Sequence, residues 1–456
     1  MKNSSILIKN IKKIITIDSE DRVLDNQNIY IKDNEIKYIG TDIFDADEII
    51  DGKNLFIYPG LINTHHHLYQ TFTRNLPQVQ NMELFDWLTT LYEIWRGLNP
   101  EIIYYSSLVG MGELLKYGCT TCFDHHYVFP KKDSDTFIDT QFEAASELGI
   151  RMQASRGSMS RGRSDGGLPP DDLVQSVEKI LSESERLVNK FHNNSKFSMR
   201  QVAIAPCSPF SVTSELMSEA AIMARKLGVR LHTHLAETKD EEKFCLDTVC
   251  MRPLDYMESL GWLGDDVWFA HGIHFNDEEL IRLARTKTGV AHCPVSNQKL
   301  SSGIANIPRM LELGVPLGLA VDGSASNDCS NMLTEIRASF LLHRLNSGSL
   351  APSSYDILKI ATNGGAKILG RSDIGSIEVG KAADMFMIDT NRLELVGALE
   401  DPKSIFGTVG FSRPVDYTIV NGKVVVRDGN LVGIDENKIV EKASASVVKL
   451  LKKSKC

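Results

Sequence analysis

Three consecutive histidines follow the short apolar run that ends at Thr64. Side chains alternate across a strand, so His65 and His67 would point to one side and His66 to the other. Two imidazoles at the end of one strand can bind a single metal ion. We therefore interpret His65 and His67 as metal ligands and predict that His66 turns into the wall of the fold. The alternative is three histidines that only pack.

A second pair of histidines with the same spacing, His232 and His234, occurs in LHTHLAET. A catalytic zinc site uses about three protein ligands and keeps a position open for water. His65, His67 and one of the second pair would supply them, and the spacing does not choose between His232 and His234. Glu237 follows closely and could carry a proton without binding the metal, unless it is an exposed loop residue.

Two further polar residues follow apolar runs later in the chain. His271 in FAHG could hydrogen-bond a water at the metal or polarise a reacting atom. Asp322 in GLAVDGSASND could bind the ion and accept a proton, and Asn327 in the same segment is a candidate substrate contact. A bound metal lowers the pKa of water from about 15.7 toward about 7. These residue types predict metal-assisted hydrolysis at an electron-poor carbon.

The elements that must position these residues form an α/β pattern. Candidate strands alternate with amphipathic helices, for example over 171–191 and 213–226, which predicts a (β/α)₈ TIM barrel. The polar residues lie at the carboxyl ends of the strands, where such a barrel carries its active site. No glycine-rich dinucleotide fingerprint supports the rival open sheet. The predicted strands are 57–64, 119–125, 150–155, 201–206, 229–235, 267–271, 288–293 and 315–321.

Both ends of the chain carry short apolar runs separated by turns. Asn421-Gly422 between two such runs is a strong hairpin signal. We predict that the two ends combine into one small β-sandwich. It would comprise residues 1–56 and 373–456, the latter with a terminal helix, and the metal-dependent barrel would comprise 57–372.

Composition narrows the possible partners. The 456 residues are 42% apolar and 24% charged, an ordinary globular balance. The net charge of −9 argues against nucleic acid as a partner. No segment approaches the roughly 20 apolar residues of a membrane span. We expect a cytoplasmic protein that binds neither nucleic acid nor membrane.

The motifs PGLINTHHHL, LHTHLAE, FAHG, GLAVDGSASND and GSIEVGKAADM resemble those of the amidohydrolase superfamily over nearly the whole chain. Within it the chain resembles the aminohydrolase branch of nucleobase deaminases and s-triazine hydrolases. HHLYQT, CTTCFDHHYVFP, SRGSMSRGRSDGGLPP and APCSPFSVT resemble 8-oxoguanine deaminases. The resemblance implies hydrolysis of 8-oxoguanine to urate and ammonia. The alternatives are isocytosine, cytosine or guanine deamination, s-triazine amino- or chlorohydrolysis, and an inactive scaffold.

The resemblance also implies roles for individual residues. Glu237 would protonate a ring nitrogen, His271 would stabilise the oxygen on the attacked carbon, and Gln70 would contact the substrate. Asp322 would pass a proton from water to the leaving amine. His232 would lie outside the metal site. The implied metal ligands are His65, His67, His234 and Asp322.

Relatives with two metals generally bridge them through a carboxylated lysine on the fourth strand. The corresponding segment here, 201–207, contains no lysine. The resemblance therefore implies one divalent ion per subunit, zinc with ferrous iron as the alternative. It also implies a homo-oligomer.

Further candidates for binding the substrate lie near the strand ends. The segment 82–95 carries aromatic residues and either caps a flat ring or packs on the barrel rim. Arg156 either contacts ring carbonyls or orders its loop. One of His125 and His126 is expected to face the pocket. Cys207 is predicted to be a pocket wall and not a nucleophile.

Overall fold

A computed structural model describes residues 4–453. The predicted domain limits at residues 1 and 456 lie outside this range. Within it, no helix has the length and apolar character needed to cross a bilayer. The strands are β1 (Ser5–Ile15), β2 (Val23–Lys32), β3 (Glu35–Gly40), β4 (Glu48–Asp51), β5 (Leu55–Pro59), β6 (Leu61–Asn63), β7 (His66–His67), β8 (Cys119–His126), β9 (Arg151–Ser158), β10 (Arg200–Pro206), β11 (Leu231–Leu235), β12 (Val267–His271), β13 (Gly289–His292), β14 (Leu317–Leu319), β15 (Asp322–Gly323), β16 (Met385–Asp389), β17 (Tyr417–Val420), β18 (Lys423–Arg427) and β19 (Asn430–Leu431).

Helices follow most barrel strands, as the alternating pattern predicts. The α-helices are α1 (Leu84–Trp95), α2 (Pro100–Lys116), α3 (Phe137–Leu148), α4 (Val177–Phe191), α5 (Ser214–Leu227), α6 (Lys239–Val249), α7 (Pro253–Ser259), α8 (Asp277–Thr286), α9 (Pro294–Lys299), α10 (Ile307–Leu313), α11 (Met332–Ser347), α12 (Ser354–Lys359), α13 (Gly365–Ile368), α14 (Ile405–Thr408) and α15 (Glu436–Lys453). The helices expected over 171–191 and 213–226 are α4 and α5. Short 3₁₀ turns span Leu68–Thr73, Pro77–Val79, Ser134–Thr136, Arg163–Asp165, Gly348–Leu350 and Leu393–Leu395, and a π turn spans Ile360–Gly364.

The predicted TIM barrel is confirmed. Eight parallel strands pair in the order β14-β13-β12-β11-β10-β9-β8-β6. The first and last strands nearly close the barrel, because the Thr64 N–H donates to the Leu319 carbonyl at 3.2 Å. Beyond this contact the short strands β7 and β15 pair in parallel. Small and aromatic side chains from strands around the barrel fill its interior in one buried cluster, including Ile62, Phe123, Ala203, Trp268 and Ala291.

The predicted β-sandwich is also present and is built from both ends of the chain. Its strands follow the order β19-β18-β17-β16-β5-β1-β2-β3, with β4 on β1. The single strand expected over 57–64 is wrong: β5 belongs to this sheet and β6 to the barrel. The chain passes between the sheets at Gly60, where a Cβ atom would lie 2.1 Å from the Thr120 hydroxyl. A side chain there would prevent this close approach.

A buried ion pair links the lower end of the barrel to the sandwich. Arg151, the first residue of β9, contacts both carboxylate oxygens of Asp384 at 3.0 and 3.1 Å. The guanidinium also donates to the Phe197 carbonyl at 2.9 Å. Asp384 in turn accepts from the Asn421 N–H at 2.7 Å. Both charges are buried, and each has several hydrogen-bonding partners.

We expect Asp384→Asn to lower the free energy of unfolding by about 3–5 kcal/mol, because it leaves the Arg151 charge buried without a counter-charge. Equilibrium denaturant unfolding would measure the change. Asp25→Asn is the control, since it removes an ion pair with Lys13 whose side chains are 27% and 58% exposed. That variant should change stability by less than about 1 kcal/mol. Equal losses would show that the buried pair has no special role.

Candidate metal and catalytic site

The four predicted metal ligands converge at the carboxyl end of the barrel. His65 lies between β6 and β7, His67 in β7, His234 in β11 and Asp322 in β15. The Nε2 atoms of His65 and His67 each lie 3.2 Å from Asp322 Oδ1. The Nε2 atoms of His67 and His234 are also 3.2 Å apart. His66 turns away, as predicted, and its Nε2 contacts the Ser330 hydroxyl.

Main-chain carbonyls determine which ring nitrogen carries the proton in two of these histidines. His67 Nδ1 lies 2.6 Å from the His125 carbonyl, and His234 Nδ1 lies 2.7 Å from the Cys207 carbonyl. A carbonyl only accepts, so both Nδ1 atoms donate. Each ring therefore presents the lone pair of Nε2 to the point where the four side chains meet.

In His65 the position of the proton is fixed indirectly, because the ring of His232 lies between His65 and a main-chain carbonyl. His232 Nδ1 donates to the Trp268 carbonyl at 2.9 Å, which leaves its Nε2 as an acceptor. His65 Nδ1 lies 2.8 Å from that Nε2 and therefore donates to it. His65 Nε2 is buried without a hydrogen-bonding partner and faces Asp322 as a lone pair. His232 thus supports the site from below and does not reach its centre.

This donor set suits a divalent metal ion. Three nitrogen lone pairs and a carboxylate oxygen face one another without a proton between them, and a cation at their centre would remove the repulsion. Ligand atoms around a tetrahedral zinc ion stand about 3.3 Å apart, close to the spacing observed. Burial lowers the pKa of His65 to about 3 and that of His234 well below its usual value. Neutral imidazole is the form that binds metal.

Hydrogen bonds from neighbouring loops hold the Asp322 carboxylate. Oδ2 accepts from the Ser296 hydroxyl at 2.6 Å and from the Ser326 hydroxyl at 3.3 Å. Oδ1 accepts from the Gly323 N–H at 2.7 Å. The backbone φ angles are +61° at Asp322 and +72° at His271, values that non-glycine residues rarely adopt. Such strain is concentrated at functional sites.

Glu237 and His271 lie beside this cluster. Glu237 Oε2 is 3.5 Å from His271 Nε2. Burial, with a further contribution from the Asp322 charge, raises the pKa of Glu237 well above its usual value. His271 Nδ1 donates to Asn297 Oδ1 at 2.9 Å, which holds the ring beside Glu237. When it is protonated, Glu237 can transfer its proton to a bound molecule.

A cavity opens onto these residues. All of its lining side chains are buried, which restricts access of bulk water. Helix α1 contributes Leu84, Trp87 and Leu88 to the cavity lining and also packs against the main core, which agrees with the expectation of packing on the barrel rim. The lining combines predicted residues (His67, Gln70, Cys207, His234, Glu237, His271 and Asp322) with Leu84, Trp87, Leu88, Tyr127, Phe210, Leu300 and Ser326.

Two polar atoms of lining residues have no partner in the described chain. These are Gln70 Oε1 and Trp87 Nε1, and both are buried. The Gln70 side chain packs closely against Gly323, and only glycine permits this contact because a Cβ atom on residue 323 would lie 1.9 Å from Gln70 Oε1. Buried polar groups without a partner are uncommon in folded proteins. Each atom thus lacks a hydrogen bond within the described chain, and each belongs to a side chain that lines the cavity.

Arg156 is directed away from the cavity, contrary to its predicted contact with the substrate. Its guanidinium lies 3.9 Å from the centre of the Phe129 ring. It donates to the Gly157 carbonyl and to the Gln175 side chain, both at 2.5 Å. Arg156 follows the expected alternative and orders the loop beyond β9.

Asn327 is likewise not a lining residue. Its amide nitrogen donates to the Val321 carbonyl and to the buried Glu335 carboxylate, both at 2.7 Å. Its oxygen accepts from the Cys329 thiol. With both ends of the amide engaged, Asn327 stabilises the loop that carries Asp322. The predicted substrate contact is corrected accordingly.

His125 lies under the metal ligands and does not line the cavity. Its ring stacks on that of His234, with centroids 4.9 Å apart, and its Nε2 donates to the Ala205 carbonyl. His126 packs against Phe129 on the outer side. Neither residue is among those that line the cavity, although the Nδ1 atoms of both rings are buried without a partner in the described chain.

Cys207 lines the cavity, as predicted. Burial raises the pKa of its thiol to about 12. The protonated thiol is a poor nucleophile, and the side chain is suited to the role of a cavity wall.

Comparisons with known proteins agree with this geometry. The model of the amidohydrolase family matches residues 56–425. The chain is 46% identical to 8-oxoguanine deaminase of Pseudomonas aeruginosa, covering 88% of this chain and 89% of that protein. It is 40% identical to hydroxydechloroatrazine ethylaminohydrolase of Pseudomonas sp. strain ADP, covering 94% and 92%. The crystal structure of atrazine chlorohydrolase TrzN from Arthrobacter aurescens TC1 complexed with zinc has a TM-score of 0.93 and 33% identity, covering 97% and 100%.

We expect His232→Phe to weaken metal binding by roughly 10-fold to 100-fold, because His65 loses the acceptor that fixes its proton on Nδ1. Competition with a chelator would measure the affinity. His66→Phe is the matched control, since His66 is an adjacent buried histidine that contacts Ser330 instead. Equal weakening in both variants would contradict this role of His232.

Proposed function

This chain belongs to the amidohydrolase family, and we propose that it is a metal-dependent deaminase that hydrolyses 8-oxoguanine to urate and ammonia. The main support is the convergence of three Nε2 lone pairs and Asp322 beside a protonated Glu237. A donor set for one cation and a separate proton donor are what hydrolytic deamination of a ring requires.

We propose that His65, His67, His234 and Asp322 hold one divalent ion, zinc or ferrous iron. When bound, such an ion lowers the pKa of water toward about 7. The zinc complex of the related chlorohydrolase supports this choice. Strand β10 carries no lysine that could bridge a second ion, which supports a single metal.

The proton steps are assigned to two carboxylates. Asp322 accepts a proton from the attacking water and later gives it to the departing amine. Glu237, whose pKa burial raises, protonates the ring nitrogen next to the amino-bearing carbon. It regains a proton from the hydroxyl group on that carbon when the amine departs and the carbonyl forms. We assign His271 the role of stabilising the oxygen on the attacked carbon, because its ring lies beside Glu237 and is held from the other side by Asn297.

The lining of the cavity supports a free heterocycle as the substrate, because apolar walls with a few polar groups are typical of small-molecule sites. Apolar side chains such as Leu84, Leu88 and Phe210 provide flat walls for a ring. Gln70 and Trp87 offer unpartnered polar atoms for its edge. An amino-substituted s-triazine is the second candidate, on the strength of the 40% identical relative.

The test is a panel of substrates for the metal-loaded protein. We expect ammonia release with the highest kcat/KM on 8-oxoguanine, compared with isocytosine, guanine and cytosine. Ethylamine or chloride release from substituted s-triazines would favour the second candidate. Glu237→Gln keeps the size of the side chain but cannot supply the proton, and should lower kcat by about 10²-fold or more. No product from any substrate would sink the proposal.

Trp87→Phe tests whether the indole N–H contacts the substrate. Loss of one hydrogen bond should lower kcat/KM on 8-oxoguanine by about fivefold, equivalent to about 1 kcal/mol. Trp95→Phe is the control, because the Trp95 N–H donates to the Thr73 hydroxyl and not to a ligand. Steady-state kinetics of both variants would decide. Identical losses would point to packing of α1 and not to substrate recognition.

A further inference from the structure

A second buried carboxylate lies directly beneath the loop that carries Glu237. Glu241 is the third residue of α6 and is 0% exposed. Its Oε1 accepts from the Ala236 N–H at 2.9 Å, and its Oε2 accepts from the Glu237 N–H at 3.0 Å. Two consecutive main-chain N–H groups thus converge on the two oxygens of one carboxyl group.

The turn held in this way has an unfavourable backbone conformation. Ala236 has a φ of +54°, in the left-handed region that alanine rarely adopts. On the opposite side, its carbonyl accepts from the N–H groups of Ile273 and His274 at 2.8 and 2.9 Å. The Glu241 carboxyl group thus holds the N–H side of this turn, while the N–H groups of Ile273 and His274 hold its carbonyl side. Together these contacts form a clamp. The clamp determines where the next side chain, Glu237, points.

An ordinary helix cap does not explain the position of Glu241. In α8 the equivalent residue, Glu279, accepts from the N–H of its own N-cap residue, Asn276, and pairs with Arg252. Glu241 instead reaches past its N-cap residue, Thr238, to the two residues before it. Burial raises the pKa of Glu241 to about 8, while the two N–H donors lower it. Its position is therefore tied to the Glu237 loop and not to the end of the helix.

We infer that Glu241 is a positioning residue: its carboxylate holds residues 236–237 so that the Glu237 side chain enters the cavity beside His271. This inference rests on the proposed role of Glu237 as proton donor. Glu241 itself does not line the cavity. It would act on the reaction only through Glu237.

Glu241→Gln keeps the shape of the side chain, but its amide nitrogen cannot accept, so one of the two N–H groups loses its partner. We expect kcat on the best substrate to fall by about 10-fold to 100-fold, with KM and metal content unchanged. Glu279→Gln, the same substitution at the same helix position, should leave kcat unchanged. The double variant with Glu237→Gln should be no slower than Glu237→Gln alone, because both act through one group.

Amide hydrogen exchange over 235–238 provides a readout that does not depend on activity. Exchange should be faster in Glu241→Gln and unchanged in Glu279→Gln. If the wild-type protein turns over no substrate but exchange still responds, the proposed function fails while the clamp stands. Unchanged exchange and kcat in Glu241→Gln, or losses that multiply in the double variant, would overturn the inference. If Glu241→Gln does not fold, Glu241→Asp replaces it and is judged by the same measurements.

Discussion

Electrostatic repulsion among buried lone pairs is the constraint on which the upper end of the barrel depends. The Nε2 atoms of His65, His67 and His234 meet Asp322 in a space from which bulk water is restricted. If the rings could rotate, or shift their protons from one nitrogen to the other, the lone pairs would no longer face one another. Carbonyl oxygens in or next to the strands prevent it, because each accepts a hydrogen bond from the N–H on the far side of a ring, directly or through His232. The main chain of the barrel thereby fixes the chemistry of its side chains.

The same strands provide the rigidity that strained residues need. Ala236, His271 and Asp322 all have positive φ angles, and each lies beside or within a paired strand. The peptide of Ala236 is hydrogen-bonded on both sides, and Asp322 is held by two hydroxyls and an N–H group. Unfavourable backbone conformations persist where the surroundings determine them this strongly. Precise direction of a few side chains is the result.

Features that local geometry determines are the ones that the sequence predicts best. Alternation across a strand separates His66 from His65 and His67. The rule that a TIM barrel carries its active site at the carboxyl ends of its strands places His271 and Asp322 at the same end of the barrel as these histidines. Both histidines of LHTH share a face of β11, so only depth along the strand, seen in three dimensions, separates His232 from His234. Arg156 fails as a substrate contact because its guanidinium packs on Phe129, and Asn327 fails because its loop folds back on Glu335. The cavity lining includes loop residues that no periodic pattern indicates, and the apolar run through Gly60 hides the passage from one sheet to the other.

Burial links the metal site to proton transfer. Both burial and the Asp322 charge raise the pKa of Glu237, and burial is the larger cause. Departure of an amine requires a proton on the leaving group, whereas displacement of chloride makes no comparable demand. A buried carboxyl group with a raised pKa in this cavity agrees with the hydrolytic deaminases among the relatives of this chain.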